Sequence, residues 1–325
     1  MRIHSHWKRL YIVPAILLAA FLLAATPTSR VPAIGANTAI FLPAVSYDSG
    51  GELATSVAVA DVNGDSEPDM LVANFCATNA CPNGAVGVLL GEGDGTFQAA
   101  IVYDSGGGAA TSLAVADVNG KPDLLVTNFD SNTVGVLLGN GDGTFQIAVT
   151  YVSGVSGGSN PYSVAAADVN GDGKADLVVA NYESVDYLSK TIGVLLGNGD
   201  GTFQSVVMYS AGVVLPVSIA VADVNCDGKP DALVASFWTS FQNLQPGVGV
   251  LLGNGDGSFQ SGIAYTTGAI GGSSSGGSVA LADVNHDGNP DLLVANEGTG
   301  TVGVLLGNGD GTLPACRDLR VKETT

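Results

Sequence analysis

Five stretches of this chain carry oxygen-bearing side chains at alternate positions. The fullest reads Asp168-Val-Asn170-Gly-Asp172-Gly-Lys174-Ala-Asp176. Side-chain oxygens stand at positions 1, 3, 5 and 9, and position 7 can offer its backbone carbonyl. Three carboxylates held that close repel one another, and a bound cation removes the repulsion. Calcium is the cation that pattern suits, because it accepts six to eight hard oxygen ligands in flexible geometry. The same reading covers Asp223, Asn225, Asp227, Lys229 and Asp231, and again Asp283, Asn285, Asp287, Asn289 and Asp291. It covers Asp61, Asn63, Asp65, Glu67 and Asp69 with Ser66 in place of a glycine. The remaining copy, Asp117-Val-Asn119-Gly-Lys121-Pro-Asp123, has lost two residues including the position-5 Asp, and is expected to close as a plain turn. A helix–loop–helix calcium site would place Glu at position 12 between helices. Here position 12 is Val179, inside an apolar run that reads as a strand.

The elements that must hold these loops repeat with them, at a period of about fifty-five residues. Ala-Asp-Val-Asn recurs at Asp61, Asp117, Asp168, Asp223 and Asp283. Each copy has four apolar segments. The first is Val57–Ala60 and its copies, the second Asp69–Asn74, the third Val86–Leu90. The fourth runs Phe97–Tyr103 and alternates Phe97, Ala99, Ile101, Tyr103. Period two in Val, Phe and Tyr signals a half-buried strand, and no segment reaches helical length. Four short antiparallel strands per repeat predict an all-β β-propeller of four-stranded blades, five in number. The alternative is a truncated fragment of a larger propeller. Between the third and fourth segments lies Gly139-Asn-Gly-Asp142-Gly-Thr-Phe145, repeated around Asp94, Asp200, Asp256 and Asp310. Its glycine spacing fits a hairpin whose Asp bonds turn amides.

The ends suggest how the array closes. Phe41–Tyr47 is a fourth segment without its own first three, and the fifth repeat lacks its fourth segment after Leu313. Phe41–Tyr47 is therefore expected to pair with Val302–Leu306. Residues 37–313 form the propeller on this reading and 314–325 an irregular tail. Residues 1–36 read as a signal peptide: Arg2, Lys8 and Arg9 precede the uncharged apolar run Tyr11–Ala25, and small residues follow. That places the protein outside the cell or on its surface, with no membrane span once the signal is cleaved. In that oxidising setting Cys76 and Cys81 lie close enough in one loop to bridge, while the pairing of Cys226 and Cys316 stays open.

Composition narrows the partners. The chain has 325 residues, 11 Lys and Arg against 30 Asp and Glu, and a net charge of −19. Lys121, Lys174, Lys190 and Lys229 are the only cations between residues 34 and 313. Such a body repels phosphate backbones, so nucleic acid is excluded as a partner. The three histidines, His4, His6 and His286, make no nucleophile–base pair in the mature body.

The repeated loop followed by Gly-Asn-Gly-Asp-Gly-Thr-Phe resembles the FG-GAP/VCBS repeat of integrin α-subunit propellers and many secreted bacterial proteins. The resemblance covers roughly residues 41–313. It implies a β-propeller with calcium in the loops between first and second strands, and a surface or extracellular role in adhesion or ligand binding. The function expected is thus a secreted or cell-surface calcium-binding propeller acting as a non-catalytic binding or adhesion module. A secreted carbohydrate-active enzyme and a structural fragment of a larger repeat protein are the alternatives. The ligand, a protein or a carbohydrate, is expected at the long loops 75–85, 182–191 and 237–247. These carry Phe75, Tyr182, Tyr187, Phe237, Trp238 and Phe241, with Trp238 foremost.

Overall fold

The computed structural model describes residues 43–154, 159–182, 191–236, 247–267, 276–296, 300–310 and 317–320. They form twenty strands in five four-stranded antiparallel sheets, each taking its strands in chain order. The first sheet holds β1 (Glu52–Ala60), β2 (Asp69–Cys76), β3 (Ala85–Leu89) and β4 (Ile101–Asp104). The second holds β5 (Ala110–Asp117), β6 (Pro122–Asn128), β7 (Thr133–Leu137) and β8 (Val149–Val152). The third holds β9 (Pro161–Ala167), β10 (Asp176–Asn181), β11 (Thr191–Leu195) and β12 (Val207–Ser210). The fourth holds β13 (Pro216–Ala222), β14 (Asp231–Ser236), β15 (Gly247–Leu251) and β16 (Ile263–Thr266). The fifth holds β17 (Gly276–Ala282), β18 (Asp291–Asn296), β19 (Thr301–Leu305) and β20 (Arg317–Arg320). No described helix is long and apolar enough to cross a membrane.

The sheets are the blades of a β-propeller. Their first strands β1, β5, β9, β13 and β17 pack in succession at the inner side. Apolar side chains from both faces of the middle strands fill the seams between blades. Leu71, Ala73, Val86 and Val88 of the first blade meet Leu113, Leu124 and Val126 of the second. The other three seams repeat this set, and Leu125, Leu177, Leu233 and Leu292 are at most 1% exposed. Full burial of one such side chain is worth about 1.5–3 kcal/mol, so the seams are the core.

The glycine at the centre of each third strand is fixed by close approach. A Cβ on Gly135 would stand 2.0 Å from the carbonyl oxygen of Ser105, and one on Gly193 2.1 Å from that of Ser153. The connection entering each blade thus passes flat against its third strand, which explains the Val-Gly-Val pattern. The fourth strands are shorter than the alternation predicts. Phe97, Phe145, Phe203 and Phe259 make only isolated bridges to Gly91, Gly139, Gly197 and Gly253, and four-residue strands follow later. The last three of these Phe rings turn into the seams instead. Tyr103 meets Phe145 edge-on at 5.5 Å, Tyr151 meets Phe203 at 5.3 Å and Tyr209 meets Phe259 at 5.8 Å.

The expected closure is corrected. The outer partner of β19 is β20, with Val302 opposite Leu319, and not the N-terminal segment. The tail expected to be irregular therefore supplies a strand, while Pro43–Tyr47 lies outside the strands and Phe41 lies outside the described residues. The edge groups of β19 need partners, and a nearby tail reaches them with a far shorter loop than the other end of the chain. Tyr47 still packs edge-on against Phe97 at 5.4 Å, as a preceding blade's tyrosine would. Among the described residues no packing of the kind that links β1 to β5 joins β1 to β17.

Candidate functional site

The Asp-rich loops all lie at one end of the blades, between first and second strands. Position 9 opens the second strand and is fully buried in every repeat: Asp69, Asp123, Asp176, Asp231 and Asp291 are each 0% exposed. One Asp176 oxygen accepts from the Val169 amide at 2.9 Å and the other from the Gly197 amide at 2.7 Å. Asp69 does the same with Val62 and Gly91, and Asp231 with Val224 and Gly253. Asp123 binds Val118 and Gly139, and Asp291 binds Val284 and Gly307. Each of these carboxylates therefore ties its loop to the hairpin that follows the third strand. Burial pushes the Asp123, Asp176 and Asp231 carboxyls above the usual carboxylate range, against the lowering effect of the two amides.

The other positions shape the loop itself. Asp168 accepts from the amides of Gly171, Asp172 and Gly173 at 2.7–3.1 Å. Asn170 accepts from Asp172 at 2.9 Å, and Asp172 from Lys174 at 3.0 Å. The fourth and fifth copies repeat this through Asp223, Asn225 and Asp227, and through Asp283, Asn285 and Asp287. In the first copy Asp61 takes the amides of Gly64 and Ser66, Asn63 that of Asp65, and Asp65 that of Glu67. The shortened copy closes tightly, Asp117 accepting from Asn119 and Gly120. Among the described residues no three His, Cys, Asp or Glu side chains converge so as to hold a metal. The carboxylates at positions 1 and 5 are turned toward amides of their own loop.

Position 7 does not simply face water. Lys174 and Lys229 lie 3.5 and 3.7 Å from Asp172 and Asp227, half-exposed pairs of small energetic weight. Their stems cross the next hairpin, so that a Cβ on Gly199 or Gly255 would come within 3.0 Å of them. The hairpin aspartates are turn-makers. Asp94, Asp142 and Asp200 each accept from both the amide and the hydroxyl of the Thr two residues on. Asp256 does so with Ser258. That hydroxyl, then the amide, holds these exposed carboxyls below the usual range.

The opposite end of the blades carries aromatic side chains. Phe129 follows β6, Tyr182 follows β10, and Tyr162 is the second residue of β9. Their rings stand 5.9–6.0 Å apart in a mutual cluster, all three half-buried. Asp130, next to Phe129, is exposed. Tyr162 and Phe129 were not singled out by the sequence, because they sit at strand ends rather than in a long loop. A disulfide joins Cys76 to Cys81 across the first of the long loops, and Cys226 is free and exposed. Tyr187, Phe237, Trp238, Phe241 and Cys316 lie outside the described residues.

Comparison with known proteins agrees with the repeat. The FG-GAP-like repeat matches residues 119–179 and 237–294. The chain carries FG-GAP-like repeats. No curated protein sequence matches the chain. Solved structures match over most of this FG-GAP-like chain. One is a protein from Lactobacillus plantarum, 17% identical, with a TM-score of 0.58 over 83% of this chain and 72% of that one. Another, from Bacteroides uniformis, is named provisionally as a 6-phosphogluconolactonase, 14% identical, with a TM-score of 0.58 over 84% and 72%. A third is the periplasmic gluconolactonase PpgL of Pseudomonas aeruginosa, 16% identical, with a TM-score of 0.57 over 79% and 70%. At these identities the likeness concerns the fold. It nevertheless corrects the expectation of a non-catalytic binding or adhesion module, since the propellers of this shape include proteins named as enzymes.

Proposed function

We propose that this FG-GAP-like propeller is an exported, calcium-binding enzyme acting on a sugar-derived substrate, with ring-opening hydrolysis of a sugar lactone as the reaction class. The observation that carries this reading is the shared shape with two propellers named as lactonases. The chain's own residues support the substrate class. Sugars present apolar C–H faces that stack on aromatic rings, and Phe129, Tyr162 and Tyr182 form such a surface. Lactone hydrolysis needs a base to take a proton from water, and exposed Asp130 stands beside those rings in the chain. A net charge of −19 disfavours a phosphorylated substrate, so the neutral lactone is the one proposed.

Calcium belongs to the proposal through the loops at Asp61, Asp168, Asp223 and Asp283. The donor chemistry fits a hard cation: a carboxylate oxygen that accepts one amide keeps a further lone pair. Binding requires the side chains at positions 1, 3 and 5 to turn from amides to the ion. Calcium there would neutralise clustered charge and hold the scaffold. Export belongs to the proposal through residues 1–36, which lie outside the described residues. The test is pH-stat hydrolysis of glucono-δ-lactone and its 6-phospho form by the purified chain. Turnover of the neutral lactone above the spontaneous rate, lost in Asp130→Asn and weakened in KM by Tyr182→Ala, is the expected result. No turnover of either lactone with calcium present sinks the proposal.

A further inference from the structure

Where the outer strand of the first blade meets the segment after the second blade's hairpin, the two leave a cleft of about 570 Å³. Small-ligand sites run roughly from 300 to 1,000 Å³. Asn83, Val102 and Asp104 of the first blade line it, with Ile147 of the second. Its fixed polar groups are acceptors. Asp104 is exposed, one oxygen taking the Gly106 amide and the other the Asn83 side-chain amide, both at 2.8 Å. An ionised carboxylate donates nothing, so Asn83 turns its NH₂ to Asp104 and keeps its own oxygen as an acceptor. Among the described residues no Lys or Arg pairs with Asp104. Beside this charge stands apolar surface, with Ile147 92% exposed and Val102 46%.

The repeat shows what is particular to this seam. At the Asp104 position later repeats have Val152, Ser210 and Thr266, and at the Ile147 position other repeats have Ala99, Ser205 and Ser261. Asp48, ahead of the first blade, takes the Gly50 amide at 2.9 Å as Asp104 takes that of Gly106. The segment packed beside it, through Tyr47 on Phe97, carries Ala99 where this one carries Ile147. The turn to Gly106 accounts for the carboxylate alone and gives Ile147 no reason to stand bare. Among the described residues, carboxylate and exposed isoleucine coincide only at this seam.

We infer that this cleft binds a small aliphatic amine in its ammonium form. The occupant follows from charge: the fixed polar groups only accept, and a net charge of −19 repels anions. An ammonium group brings three N–H donors and no acceptor, matching the oxygens of Asp104 and Asn83. Its alkyl chain covers Ile147 and Val102, which a hydrated metal ion would leave bare.

The test is titration of the purified chain with n-hexylammonium, hexanol and hexanoate, read by NMR at the Asn83 side-chain amide and the Ile147 methyls. Millimolar calcium is present throughout to compete at other carboxylates. Hexylammonium is expected to give saturable shifts, hexanol to bind about fivefold more weakly, and hexanoate not to bind. Asp104→Asn keeps an oxygen for the Gly106 amide and removes the charge, so hexylammonium should then bind no better than hexanol. Ile147→Ser should weaken both, and Asp48→Asn, the same turn in the neighbouring seam, should change neither. Absence of saturable shifts at Asn83 and Ile147, hexanoate binding as tightly as hexylammonium, or full hexylammonium affinity in Asp104→Asn each overturns the inference. So does an equal loss in Asp48→Asn.

Discussion

The aspartates divide by what their oxygens touch. Position 9 is a staple: removing Asp176 strands two buried amides, at about 1–3 kcal/mol each. Asp176→Ala should therefore lower stability by about 2–6 kcal/mol in urea unfolding, while exposed Asp142→Ala should cost far less. An equal loss from both would contradict the staple. Asp142 titrates low because the Thr144 hydroxyl and amide hold its charged form. Its folded value is depressed, so the stability it contributes is present above the ordinary carboxylate value and lost as pH falls through the lowered one. Thr144→Val should move the Asp142 titration, followed by carboxyl-carbon NMR, back toward the ordinary value. Both roles were half legible in sequence. The alternate-position pattern marked every Asp, but only the fold distinguishes a carboxylate that bridges loop to hairpin from one that shapes its own turn. The bridging partners, Val169 and Gly197 for Asp176, stand on opposite sides of it in the chain and meet only when the second and third strands pair.

At the level of elements, third-strand glycines and loop glycines answer to different constraints. Gly193 faces a backbone carbonyl 2.1 Å from where a Cβ would stand. Gly171 has open space but a φ of +75°. Gly193→Ala should destabilise by about 3 kcal/mol or more, because the entering connection cannot yield without moving the blade. Gly171→Ala should cost only about 1–2 kcal/mol for its left-handed backbone. Comparable melting temperatures for the two variants would refute the close approach. The four strands of each repeat were legible from period-two alternation and turn residues. The shortness of the fourth was not, because Phe97 and Tyr103 share one alternating pattern while serving different ends. Phe97 packs edge-on against Tyr47, and only the strand from Ile101 onward pairs with β3.

For the whole molecule, the proposed calcium loops carry a thermodynamic consequence. An ion bound only by the folded state adds about 1.4 kcal/mol per site at ten times its dissociation constant, and about 5–6 kcal/mol for four independent sites. At constant ionic strength, excess chelator should lower the melting temperature well below its value in millimolar calcium, and calorimetry should count about four ions per chain. Identical melting in both conditions would leave the loops as turns alone. The sequence by itself determined the repeat, the blade, the blade count and the acidic loops, because each is a local pattern whose period is the period of the structure. Only the tertiary structure decided how the array ends. Whether Phe41–Tyr47 or Arg317–Arg320 completes the fifth blade depends on which segment reaches the edge of β19 at least entropic cost. Whether β1 meets β17 depends on how blades turn about their seams. The first sets a neighbouring segment against one from the other end of the chain, and the second rests on packing between strands from opposite ends of the chain; no local pattern encodes either.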